Sequence, residues 1–277
     1  MAIEADVHSG SAGVASDNAP NDARGWLVDS TPMTSRGVDT LQVAEDLRRA
    51  LHLQRITASP EGQAFSAAVA EAIALPLQAL QEHVGPYPLF RPGQDNSTDT
   101  HQRFYGQHSQ QQELYQSLCR RVIQRIGEPC YVQQIPTYRF GLPDNRWVGN
   151  FHRDSDFGHS SYELNAICAL TPMHASAALH VEATAGGRDF VPMELEAGEL
   201  ILFDHIDRLH GCPINREASS VASVDFRFVP VRFAEQAFRS EATSINTGTA
   251  FLPGQYFSAE PLSSQAFSCE PFAGKVC

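Results

Sequence analysis

Residues 220–233 read SVASVDFRFVPVRF, and the alternation in this run decides the fold. Ala222, Val224, Phe226 and Phe228 fall on one face of an extended chain, and Ser223, Asp225 and Arg227 fall on the other, because successive side chains of a strand point to opposite sides. The run is therefore a β-strand. Other short apolar or alternating runs precede it, separated by turn residues: YVQQIPTYRF (131–140), WVGNFHRD (147–154), YELNAICALTP (162–172), SAALHVEAT (176–184) and ELILFD (199–204). Their spacing is that of an antiparallel sandwich or barrel, not of βαβ units.

Before Gly127 the period is helical. In VDTLQVAEDLRRALHLQ (38–54), Leu41, Val43, Leu47, Leu51 and Leu53 recur near helical spacing, with Asp39 or Thr40 as N-cap. Further helical stretches cover 61–84 and 108–126, and the Pro/Gly/Asn-rich run GPYPLFRPGQDNSTD (85–99) between them reads as a loop. The expected architecture is mainly β with flanking helices. It divides into a flexible arm (1–37), a helical region packing on the core (38–127), the β core (128–235) and an irregular C-terminal segment (236–277).

The chain has 277 residues, with 32 Asp and Glu against 20 Lys and Arg and a formal net charge of −12. Acids outnumber bases in every third of the sequence, so there is no basic footprint for nucleic acid. A charge of this sign favours the approach of cations. The most apolar helical stretch, AFSAAVAEAIALPLQAL (64–80), is interrupted by Glu71 and Pro76 and is shorter than a bilayer span, so no membrane is expected. The acidic N-terminus lacks the features of a secretion signal, and six scattered cysteines form no CxxC pair. Reduced thiols in a cytoplasm are the expectation.

His152 and Asp154, two residues apart in NFHRDSDFG, would share one face of a strand and offer an imidazole and a carboxylate to one point. His210, in FDHIDRLHG at the end of another expected strand, is the natural third ligand. Two histidines and one carboxylate leave open positions on a metal, as non-haem Fe(II) sites require. Two rival spacings exist, His205–Asp207 and His180–Glu182. His152–Asp154 is preferred because a later strand returns a histidine to it.

Three blocks in order, YRFGLPDNRWVGNFHRDSDFG (138–158), GELILFDHIDRLHG (198–211) and SVDFRF (223–228), resemble the 2-oxoglutarate/Fe(II)-dependent dioxygenases, most closely the streptomycin-biosynthesis-type members. The resemblance covers about residues 130–232. It implies a double-stranded β-helix (jelly-roll) core, Fe(II) held by His152, Asp154 and His210, and 2-oxoglutarate and O₂ as co-substrates. The distal carboxylate of 2-oxoglutarate calls for a bidentate cation, which favours arginine. Arg227 is the choice, with Ser223 on its face and Arg216 as rival, although many relatives carry their arginine ten to fourteen residues after the distal histidine. Tyr138, Asn150 and Asn165 are candidates to bind the co-substrate or hold a ligand in place. Asp156 either lines the same pocket or begins a turn at Gly158, and Arg139, Arg146 and Arg153 are expected to face outward as ion-pair partners, with a place near the site entrance as the alternative for Arg146.

The function so implied is oxidation of a C–H bond by hydroxylation, desaturation or ring closure, with release of succinate and CO₂. The expected substrate is a small, polar, cationic natural-product intermediate such as an aminocyclitol or aminoglycoside. An amino-acid hydroxylase and a non-redox, cupin-like binding protein are the alternatives.

Overall fold

A computed structural model describes residues 39–57, 59–89, 98–147 and 150–265. The expected arm at 1–37 lies outside these residues, as do 266–277 of the C-terminal segment and 90–97 of the expected loop. In chain order the elements are α1 (Thr40–Leu51), β1 (Gln54–Ile56), α2 (Pro60–Ile73), α3 (Asp99–Gln107), α4 (Gln112–Ile126), β2 (Cys130–Val132) and β3 (Thr137–Gly141). They continue with β4 (Leu164–Ala169), β5 (His180–Glu182), β6 (Phe190–Pro192), β7 (Leu200–Phe203), β8 (His210–Gly211), β9 (Val221–Pro230) and α5 (Ala234–Ala237).

The opening stretch of sequence is the centre of the larger sheet. β9 is buried along its whole length and pairs antiparallel with β4 on one side and with β3 and β2 on the other, while β7 and β1 extend the sheet beyond β4. Its alternation holds: Ala222, Val224, Phe226 and Phe228 face the helices in one core, and Val221 faces a second core with Ile167, Ile201 and Phe203. The second core is closed by a smaller antiparallel sheet, β6-β5-β8. Two sheets face to face with helices outside the larger one make a double-stranded β-helix.

Each helix presents an apolar stripe to the larger sheet. In α4, Tyr115, Leu118, Cys119, Val122 and Ile126 recur at helical spacing and are all buried. In α2, Phe65, Val69 and Ile73 do the same. Burial of each large apolar side chain contributes about 1.5–3 kcal/mol. Asp39 is the N-cap of α1, accepting from the amides of Leu41 and Gln42, and Ser59 caps α2 ahead of Pro60. α2 ends at Ala74 in the left-handed conformation, two residues before Pro76, so the apolar stretch is a short core-packing helix followed by a 3₁₀ turn at Leu77–Glu82.

Several local readings change. The expected helix 38–54 stops at Leu51, and β1 follows at once to pair with β7. The run expected to be a loop at 85–99 ends in the start of α3 at Asp99, capped by Thr98. The run 131–140 is split by a turn into β2 and β3, and the described residues of WVGNFHRD contribute only the single bridge at His152. Within the expected irregular segment, bridges Cys130↔Leu262 and Gln133↔Phe257 lay the chain back against β2 and the residues after it.

Candidate metal and co-substrate site

His152 and His210 face each other across an isolated antiparallel bridge, their backbones exchanging hydrogen bonds of 3.0 and 2.9 Å. Each imidazole is fixed by a backbone carbonyl two residues upstream. His152 Nδ1 donates to Asn150 O at 2.8 Å and His210 Nδ1 to Arg208 O at 3.2 Å. A carbonyl only accepts, so both rings carry a proton on Nδ1, and Nε2 is the nitrogen turned to another partner. Those two Nε2 atoms each lie 3.3 Å from Asp154 Oδ1.

Asp154 does not reach this point by strand alternation. It is the first residue of a 3₁₀ turn, Asp154–Phe157, closed by Gly158 in the left-handed conformation, and its amide donates to His205 O at 2.9 Å. Asp156 is therefore not in the pocket: it is exposed and accepts from the Arg153 amide. Burial alone would raise the Asp154 carboxyl, but the Arg227 guanidinium and hydrogen bonds from His152 and His210 hold it well below the usual carboxylate range. The side-chain atoms of His152, Asp154 and His210 that could ligate a metal all lie within 4.8 Å of one another, a candidate metal site among the described residues.

The rival spacings serve the fold. Asp207 pairs with buried Arg48 at 2.6 Å, tying α1 to the loop after β7. Glu182 accepts from the amides of Gly186, Arg188 and Leu209, and His180 bonds Ala175 O.

On the inner face of the larger sheet, Asn165 stands opposite Arg227 in register. Arg227 Nη2 donates to Asp154 Oδ2 at 2.5 Å, and Nη1 donates to Gln133 Oε1 at 3.2 Å and to the Tyr256 hydroxyl at 3.0 Å. Arg227 Nε, Ser223 Oγ and Asn165 Oδ1 are buried without a hydrogen-bond partner. Such orphaned atoms are rare in a folded chain and mark places where a polar ligand binds. Together with the His–Asp–His donor set, they fit Fe(II) and an acidic co-substrate.

Four expected residues change role. Tyr138 lies in register with Val224, which turns it toward the helices, where its hydroxyl is hydrogen-bonded to His108 Nδ1 at 2.9 Å. It does not face the site. Asn150 contributes its backbone carbonyl to His152, as above. Arg216 is exposed and pairs with Asp144 at 2.8 Å, which removes it as the rival to Arg227. Arg139, expected to face outward, instead faces the cavity wall and pairs with Asp225 at 2.5 Å.

His152 and Asp154 line a cavity of about 1000 Å³. The sequence reading missed Glu163, His159 and Tyr256. Glu163 is buried beside Asn165, accepts from His159 Nδ1 at 2.8 Å and lies 4.0 Å from Arg227 Nε. Burial opposes its charge, but His159 outweighs burial and keeps the carboxyl ionised far below its ordinary range. A single acid in an otherwise apolar strand run, YELNAICALTP, was the signal available. Tyr256 had no periodic context to announce it.

The double-stranded β-helix and its His–Asp–His cluster beside a cavity are the arrangement that the resemblance to the 2-oxoglutarate/Fe(II)-dependent dioxygenases implied. No family model matches the chain. Over 163 residues it is 34% identical to the streptomycin biosynthesis protein StrG of Streptomyces griseus, spanning 59% of this chain and 77% of that protein. The chain belongs to the family of StrG. Its fold is similar to that of EctD from S. alaskensis, with TM-score 0.51 and 14% identity over 78% of this chain and 85% of that one. A looser likeness, TM-score 0.44 and 16% identity over 77% of this chain and 94% of the other, is to the non-haem α-ketoglutarate-dependent carbocyclase SnoK from nogalamycin biosynthesis.

Proposed function

We propose that this protein is an Fe(II)- and 2-oxoglutarate-dependent oxygenase that oxidises a C–H bond of a small polar natural-product intermediate. The observation that carries this reading is the convergence of His152 Nε2, His210 Nε2 and Asp154 Oδ1, with both Nδ1–H groups committed to backbone carbonyls. When bound, iron with 2-oxoglutarate and O₂ supplies the oxidising power, with succinate and CO₂ as co-products, and the result at the substrate carbon is hydroxylation, desaturation or ring closure.

The chain's own residues bind, orient and exclude. His152, Asp154 and His210 would hold the metal from one side. Arg227, Ser223 and Asn165 would take the distal carboxylate of 2-oxoglutarate through the atoms left unpartnered, the Asn165 amide turning about its terminal bond to offer its NH₂ group. Phe203, buried beside Asn165 in register, keeps water from this end of the site. Cys119, Cys130 and Cys168 are buried free thiols, which supports a cytoplasmic setting.

The test is anaerobic addition of Fe(II) and then 2-oxoglutarate to the full chain. A weak visible charge-transfer band on the second addition is the expected result. Its absence, with the protein folded, overturns the reading.

A further inference from the structure

His210 stands on a strand of only two residues, β8, reached by the loop that follows β7. So short a strand makes few ladder bonds, and the aim of its side chain depends on what fixes the residues just before it. Those residues end on Glu182 of β5. Leu209 spends both of its backbone groups there: its amide donates to Glu182 Oε2 at 3.0 Å, and its carbonyl accepts from the Glu182 amide at 2.9 Å. Arg208, whose carbonyl fixes the His210 imidazole, donates from Nη1 to the backbone carbonyls of Glu182 and Ala183.

The same carboxylate reaches toward the other two ligands. Arg153 stands between His152 and Asp154 in the chain; its Nη2 lies 3.7 Å from Glu182 Oε2, and its Nε donates to Asp207 O at 2.9 Å. One oxygen of Glu182 thus faces both the amide beside His210 and the guanidinium between the remaining ligands. The residue is 0% exposed, and its carboxylate also accepts from the amides of Gly186 and Arg188 at 3.1 and 3.2 Å. A buried carboxylate bonded on both oxygens is held in one place, and so are the groups that it holds. The bonds to Gly186 and Arg188 close the turn after β5. Those to Leu209 and Arg153 serve the ligand segments.

We infer, resting on the reading of His152, Asp154 and His210 as the metal ligands, that Glu182 is a positioning residue for the metal: through Leu209 and Arg153 its carboxylate sets the spacing between His210 and the His152–Asp154 segment. A metal site needs its donor atoms held to within about 0.5 Å, and partners behind the ligands typically matter ten- to a hundredfold in affinity. Glutamine at this position keeps one oxygen for Leu209. It also turns an NH₂ group toward an amide that donates, and it removes the charge facing Arg153.

The experiment is titration of the metal-free full chain with Co(II), followed by visible absorption, with thermal melts run in parallel. Glu182→Gln should weaken Co(II) binding about tenfold and alter the shape of the visible band, which reports the ligand geometry. Arg153→Met, at a partly exposed side chain, should weaken binding as well, and Arg153→Lys less. The double variant should lose less than the product of the two single losses, because both break one link. Tyr138→Phe, which loosens the helix-facing core, is the control: it should melt lower with Co(II) affinity unchanged. If Glu182→Gln does not fold, the Arg153 variants decide. Parent-like affinity and spectrum in folded Glu182→Gln or in Arg153→Met, or an equal loss in Tyr138→Phe, would overturn the inference alone. No Co(II) binding by the parent chain would overturn the metal-site reading and the inference with it.

Discussion

Arg227 Nη2 donates to Asp154 Oδ2 at 2.5 Å, while Asp154 Oδ1 faces the Nε2 atoms of His152 and His210 at 3.3 Å each. The two carboxylate oxygens thus have separate duties: one is held by the guanidinium and the other is turned to the metal position. Removing such an orienting partner typically costs ten- to a hundredfold in metal affinity. Arg227→Gln should weaken Co(II) or Fe(II) binding by about that factor, read by absorption titration. Arg227→Lys, which keeps charge but not the planar fork, should fall between. Unchanged metal affinity in Arg227→Gln would assign the guanidinium to the co-substrate alone.

The ligands themselves give the harsher test. His152→Ala and Asp154→Ala should each abolish succinate formation and the charge-transfer band, while the melting temperature stays close to that of the parent chain without metal. Substantial turnover in either variant would sink the site assignment. His180→Ala should leave succinate formation intact, because its ring bonds Ala175 O away from the triad.

Tyr138→Phe separates the two faces of β3. The hydroxyl belongs to the helix-facing core, bonded to His108, so its loss should destabilise the fold by about 1 kcal/mol. The affinity for 2-oxoglutarate, read from the charge-transfer band, should not change. A selective loss of that affinity would return Tyr138 to the site.

The contrast between Tyr138 and Arg227 shows what the sequence could carry. Arg227 was readable because seven consecutive residues of β9, Ala222 to Phe228, alternate and the polar face is short. The face of Tyr138 depends on register with β9, opposite Val224, which is a long-range fact. His152, Asp154 and His210 were legible as residue types suited to a metal. The route that brings them together was not, because a 3₁₀ turn replaces the expected strand and leaves no periodicity. β1 is three residues long and continues the apolar pattern of α1, so only its partner β7 defines it. His159, Glu163 and Tyr256 meet through tertiary packing of loops, and only Glu163, an acid at the start of a strand run, left a local signal.

Gly62 and Gly198 set how closely α2 approaches the turn before β7. A Cβ on Gly62 would collide with the Gly198 carbonyl oxygen, and Gly198 itself has φ +83°. Both contacts are backbone and cannot swing aside. Gly62→Ala should therefore destabilise by about 1–3 kcal/mol, the range for overpacking, despite alanine's better helix propensity. Urea denaturation measures this, and a neutral or stabilising result would show that the helix can shift.

His52, just after α1, gives the fold a pH dependence with a definite sign. Burial, and then the Arg208 charge, lower its pKa from 6.5 to about 4, and its Nδ1 accepts from the Asp204 amide at 3.2 Å, which requires an unprotonated nitrogen. Above pH 6.5 the ring is neutral in folded and unfolded chains alike, and the interaction is fully present. Between pH 6.5 and 4 the unfolded chain takes up a proton that the folded chain refuses, so stability falls with pH across that window and levels below it. In His52→Gln, the urea midpoint should decline less steeply over the same range. Carboxylates titrating at lower pH affect both proteins equally, so parallel profiles would show that His52 does not contribute.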